Sequence, residues 1–64
     1  MRGIVKKFDL RGFGIIDSAD GSKVPFILPD VLNHSPLEPG QKVVFSVRKV
    51  QDKAFAENVT LAKF

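Results

Sequence analysis

Nowhere in this chain does an apolar pattern with the helical period of 3.6 persist over ten residues. Short runs rich in β-branched and aromatic residues alternate instead with clusters of Gly, Pro, Asp and Ser. Residues 2–9 read as a first strand, in which a bulge near Lys7 would reconcile the adjacent charges Lys6 and Lys7 with inward apolar neighbours. Residues 13–17 form a second, ended by Asp17-Ser18-Ala19-Asp20-Gly21-Ser22 with Asp20-Gly21 as the pivot of the turn. Lys23 to Leu28 form a third, where Pro25 removes one backbone donor and Pro29 ends the run. A connection from Asp30 to Gly40 follows, with one short helical turn at Asp30-Val31-Leu32. Gln41 to Val50 is the cleanest strand: Val43, Phe45 and Val47 point one way, and Lys42, Val44, Ser46 and Arg48 the other. Ala54 to Ala62 is the last, with a bulge available to re-aim part of it. Five short strands at this spacing predict a small all-β barrel.

Sixty-four residues predict one domain, 1–64. A chain of that size buries only about 60% of its unfolded surface. Yet the second and third strands are apolar on both faces, and a barrel so small has one interior. One set of side chains therefore fills the core, and the other forms an exposed apolar patch of the kind that marks a binding surface. The charge balance, ten basic against seven acidic residues, permits a polyanionic partner without demanding one. The local bias is stronger: Arg2, Lys6, Lys7 and Arg11 precede Phe13, opposed only by Asp9. The absence of cysteine rules out disulfides and thiolate metal sites and fits a reducing cytoplasm. No apolar run has the length of a signal peptide core or a membrane span, so a cytoplasmic location without membrane attachment is expected.

Within this frame, Arg11-Gly12-Phe13-Gly14-Ile15-Ile16 has the most chemistry. As a strand it places Phe13 and Ile15 on one face, with Arg11 two residues earlier on the same side. An aromatic beside a cation on an open sheet suits single-stranded nucleic acid, since the ring stacks a base and the cation holds a phosphate. The residues alone equally allow a twisted strand whose Phe13 is core. Gly14 marks a bend or the close approach of another backbone.

The order of motifs resembles the bacterial cold-shock proteins, small nucleic-acid-binding OB-fold domains. Gly3-Ile4-Val5-Lys6-Lys7-Phe8-Asp9 is similar to that family's opening Gly-x-Val-Lys-Trp-Phe-Asn. Arg11 to Ile16 resembles its first ribonucleoprotein motif, Lys-Gly-Phe-Gly-Phe-Ile, and Pro25-Phe26-Ile27-Leu28 stands where the second, Val-Phe-Val-His, belongs. Leu37 to Phe45 resembles Leu-x-x-Gly-Gln-x-Val-x-Phe, and Ala56-Glu57-Asn58-Val59 the closing Ala-x-Asn-Val. The resemblance implies a five-stranded antiparallel OB-fold barrel. It also implies that Phe13, Ile15, Phe26 and Leu28 face outward, while Val5, Ile16, Ile27, Leu32, Val43, Phe45, Val47 and Val59 form the core.

The departures from the family pattern fall on its aromatic positions. Lys7 stands for Trp, Ile15 for the second Phe, Leu28 for His, and Pro29 for a frequent aromatic. The 30–40 connection is shorter by about three residues, where relatives have a further aromatic. Phe13 and Phe26 are the platforms this alignment leaves, with Lys6, Lys7 and Arg11 placed for phosphates. Each lost platform removes about 1–3 kcal/mol per stacked base, so binding to single-stranded RNA or DNA should be weak. The alternative is a protein-interaction module or homodimer that docks through Phe13, Ile15, Phe26 and Leu28, a face now largely aliphatic. His34, the only histidine, reads as a solvated loop residue. No nucleophile–base pair, dinucleotide fingerprint, cofactor motif or metal-ligand spacing supports an enzyme.

Overall fold

The computed structural model describes residues 1–32 and 36–62. The strands are β1 (Arg2–Phe8), β2 (Phe13–Ser18), β3 (Lys23–Ile27), β4 (Lys42–Val50) and β5 (Lys53–Leu61). They form one antiparallel sheet in the order β3-β2-β1-β4-β5. The sheet curls until β3 and β5 face each other, but no hydrogen-bonded ladder joins them among the described residues. A single parallel bridge, Val31 to Val59, links the segment after β3 to β5. The expected bulge in β1 is present between Val5 and Lys7, and it leaves both Lys6 and Lys7 exposed. A second irregularity, between Val44 and Ser46 opposite a left-handed Asn58, lets Ala56 and Val59 both turn inward.

The core is Val5, Ile16, Val24, Phe26, Val31, Leu37, Val43, Phe45, Ala56 and Val59. Phe26 corrects the sequence expectation: it is 1% exposed, and its neighbour Ile27, expected inside, is 45% exposed. The cause is the length of one loop. A two-residue turn on Asp20-Gly21 would set Phe26 opposite Ile15. The chain instead makes a three-residue loop, with the Ser18 N–H donating to the Ser22 carbonyl at 2.8 Å and Gly21 at φ 92°. Gly14 therefore pairs with Phe26 and Phe13 with Ile27. A one-residue slip in register exchanges the two faces of a strand. The Phe26 ring fills the space Gly14 leaves empty and stacks on Phe8, centroids 5.7 Å apart.

Three further expectations change with the same geometry. Leu28 does not continue β3 outward. It begins a 3-10 turn, Leu28–Asp30, and lies half-buried against the core. That turn comes two residues earlier than expected, so Val31 enters the core and Leu32 is left 50% exposed. Val47 is 36% exposed because β4 and β5 run on as a hairpin beyond the core. The role expected for His34 lies outside the described residues.

The tip of that hairpin holds Gln51 at φ 50° and Asp52 at φ 68°. Both are left-handed, a conformation that costs an L-residue about 1–2 kcal/mol and that Asn-Gly adopts most easily. Replacing the pair by Asn-Gly is expected to stabilise the fold by about 1 kcal/mol, or about 4–8 °C in a thermal melt. A melting temperature that does not rise would show the turn to be unstrained.

Candidate nucleic-acid interface

The outer surface of β1, β2 and β3 is built in rows by the strand register. Phe13 lies beside Ile27; Lys7, Ile15 and Pro25 form the next row; Ile4, Asp17 and Lys23 the third. Phe13 is 41% exposed, Ile27 is similarly open, and Ile15 and Pro25 are half-buried. The second platform expected at Phe26 is thus absent from this face. Its place beside Phe13 is taken by Ile27, with Pro25 in the next row. Of the seven residues expected to contact nucleic acid, the fold brings Lys7, Phe13 and Ile15 together, with Lys6 and Arg11 also exposed. Leu28 and Phe26 are turned to the interior.

The loop before Phe13 is fixed by a residue that sequence reading treated only as a stray charge. The Asp9 carboxylate accepts the backbone N–H of Arg11 at 2.9 Å and of Phe13 at 3.1 Å. The Gly12 N–H donates to the Asp9 carbonyl at 3.1 Å, and the Asp9 N–H to the Phe13 carbonyl at 2.9 Å. Gly12, at φ 88°, then accepts the Leu28 N–H at 2.7 Å and so ties the loop to the end of β3. Arg11 lies over Asp9 at 3.7 Å with its side chain almost wholly in solvent. Phe13 is therefore presented by a backbone already locked, which reduces the ordering cost of binding. The general signal for such a residue is an Asp two to four positions before a Gly-rich strand start, where Asx turns form.

The Phe13 N–H, and after it Arg11, hold the Asp9 carboxyl below the ordinary carboxylate range. The Ser22 hydroxyl and N–H do the same for Asp20. Folded values below the unfolded ones mean that both groups favour folding above the unfolded carboxyl pKa of about 3.9. That contribution declines as pH falls past this value and is gone below the folded pKa. Acid unfolding of the wild type should begin below about pH 4, and Asp9→Asn should flatten the profile there. A circular-dichroism titration in which the two profiles coincide would remove Asp9 from this account.

At the far end of the face, Lys23 lies 3.5 Å from Asp17. The neighbouring Lys23 holds Lys6 below the ordinary lysine range. On another part of the surface, beyond the β4 irregularity, Arg48 approaches Glu57 at 4.0 Å. Among the described residues no group of three or more His, Cys, Asp or Glu could hold a metal ion, and no helix is long and apolar enough to cross a membrane.

The profile of the 'Cold-shock' DNA-binding domain matches residues 1–62. The chain is 41% identical over 63 residues to the cold shock-like protein CspB of Yersinia pestis, covering 92% of this chain and 90% of that protein. The CspB of Yersinia enterocolitica matches to the same extent. That of Escherichia coli K12 is 38% identical over 65 residues, covering 95% and 92%.

Proposed function

Because this chain belongs to the cold-shock DNA-binding domain family, a family of nucleic-acid binders, we propose that it binds single-stranded RNA or DNA across the outer face of β1, β2 and β3. The observation that supports this most is Phe13, an exposed ring on a locked loop with Lys7 and Arg11 near it. The ring stacks one base. Ile15, Pro25 and Ile27 offer apolar contact to its neighbours, and the cations hold phosphates. One aromatic in place of several makes each encounter brief. Brief contacts that keep strands unpaired are the action of an RNA chaperone, a role of binding rather than catalysis. In this reading one cytoplasmic domain contains the whole site. Docking of a protein or a second copy on the same face is the weaker reading, since cations frame the apolar residues.

Titration with short oligodeoxythymidylate and oligouridylate at two salt concentrations tests the proposal. Binding should weaken with salt by about 0.7 log units per neutralised phosphate per log unit of salt. Phe13→Ala should reduce affinity by about 1–3 kcal/mol, roughly 5- to 150-fold, with the salt slope unchanged. Its half-open ring should cost far less stability than the roughly 3–5 kcal/mol of a core Phe→Ala. Oligonucleotide affinity unaffected by Phe13→Ala, or tight binding insensitive to salt, contradicts this reading.

A further inference from the structure

We propose that Lys6 and Lys23, with the Asp17 carboxylate between the strands, form a phosphate seat at the end of the outer face opposite Phe13. This rests on the reading of the face as a single-strand binding surface and assigns Lys23 and Asp17 roles in it.

The register sets the geometry. Lys23 pairs with Asp17 across β2 and β3, and Asp17 with Ile4 across β1 and β2. All three side chains share the outer face with Ile15 and Phe13. The β1 bulge leaves Lys6 exposed between the Ile4–Asp17 and Lys7–Ile15 pairs, one strand away from Lys23, which lies across β2 opposite Asp17. Asp17 is four residues along β2 from Phe13, about 14 Å at the usual strand rise. A strand lying along β2 thus passes from a stacking ring, over the Ile15 and Pro25 row, to a pair of ammonium groups.

Electrostatics favours an anion at that end. Two lysines near each other on an open face repel, and one carboxylate cannot neutralise both. The Lys23–Asp17 pair is exposed, its side chains about half in solvent, so exchanging the carboxylate for a phosphate gives up little. A backbone phosphodiester has two non-bridging oxygens that share its negative charge and can take donors from both lysines at once. The ion pair then acts as a placeholder that keeps Lys23 extended over the sheet until a strand arrives. The bland alternative is two solvated lysines, one of them paired with an aspartate.

Affinity for oligodeoxythymidylate and its salt dependence should be measured for the wild type, Lys23→Gln, Lys6→Gln and Asp17→Asn, with Phe13→Ala and Lys53→Gln as references. Lys53 starts β5 at the hairpin tip, away from the face. Lys23→Gln and Lys6→Gln should each make the salt slope shallower by up to about 0.7. Asp17→Asn should tighten binding by up to about fivefold, the worth of a competing surface pair, without a shallower slope. Phe13→Ala should lower affinity with the slope intact, and Lys53→Gln should change neither. If Phe13→Ala weakens binding while Lys23→Gln and Lys6→Gln leave the slope unaltered, the seat is wrong and the face stands. Weaker binding by Asp17→Asn also overturns the seat. If the unaltered chain binds no oligonucleotide at either salt, the proposed function fails and the seat with it.

Discussion

Phe26→Ala is expected to cost about 3–5 kcal/mol of stability, the range for a buried aromatic. Whole domains are stable by about 5–15 kcal/mol, and one this small belongs near the lower end. The variant should be largely unfolded well below the melting temperature of the wild type, as a urea titration would show. Gly14→Ala probes the same contact from the other strand. A Cβ there would stand 2.5 Å from the Phe26 ring and 2.9 Å from the Lys7 carbonyl. Overpacking of that kind costs about 1–3 kcal/mol. In the double variant the new methyl enters space the ring has vacated, so the two costs should add to less than their sum. Strict additivity would mean that residues 14 and 26 do not touch. A Phe26→Ala protein that stays as stable as the wild type and loses only oligonucleotide affinity would place the ring outside.

Lys7→Trp is expected to produce the largest gain in binding. Lys7 pairs with Ile15 on the outer face, one row from Phe13. An indole there would extend the stacking surface across β1 and add about 1–3 kcal/mol per base, roughly 5- to 150-fold in affinity. If the native ammonium contacts a phosphate, the salt slope should fall by about 0.7 at the same time. Affinity unchanged by Lys7→Trp would confine the platform to β2 and β3. Tighter binding with an unchanged slope would instead move Lys7 out of the phosphate contacts.

Most of the architecture could be read from residue order, because alternation within a strand and Gly or Asp between strands are local signals. The bulge near Lys7 was legible for that reason: in a regular strand one of two adjacent lysines would point into the core. The facing of β3 was not. Val24, Pro25, Phe26, Ile27 and Leu28 are all apolar, so composition does not distinguish inside from outside. The choice passed to the Asp20-Gly21 turn, where two or three loop residues fit the sequence equally well. Cross-strand reasoning could have decided it. Gly14 leaves an empty place in the inner layer, and a large ring opposite fills it. Leu37 joined the core from a Pro-rich connection with no periodicity to announce it. The part Asp9 plays in the loop and the proposed part of Lys23 were not legible because both depend on neighbours in space: a loop that returns to one carboxylate, and a strand that sets Lys23 opposite Asp17.

The seam between β3 and β5 makes Pro25 more than an apolar contact. Hydrogen bonds at Ser18–Ser22 and Gly12–Leu28 fix the alternation along β2 and β3. By that alternation the nitrogen of Pro25 faces away from β2, toward the open side of β3. An edge with free donors is a template on which another chain can add a strand, and proline removes one donor from it. Pro25 thus removes one pairing position from this edge while lying on the proposed binding face. Enlarging the platform with Pro25→Phe would add a ring and also an N–H, on an edge already flanked by the exposed Ile27. Such a variant should bind single strands better in dilute solution and show concentration-dependent scattering or thioflavin fluorescence that the parent lacks. A richer aromatic surface at this position would then come with a loss of solubility, because no ladder joins β3 to β5 among the described residues.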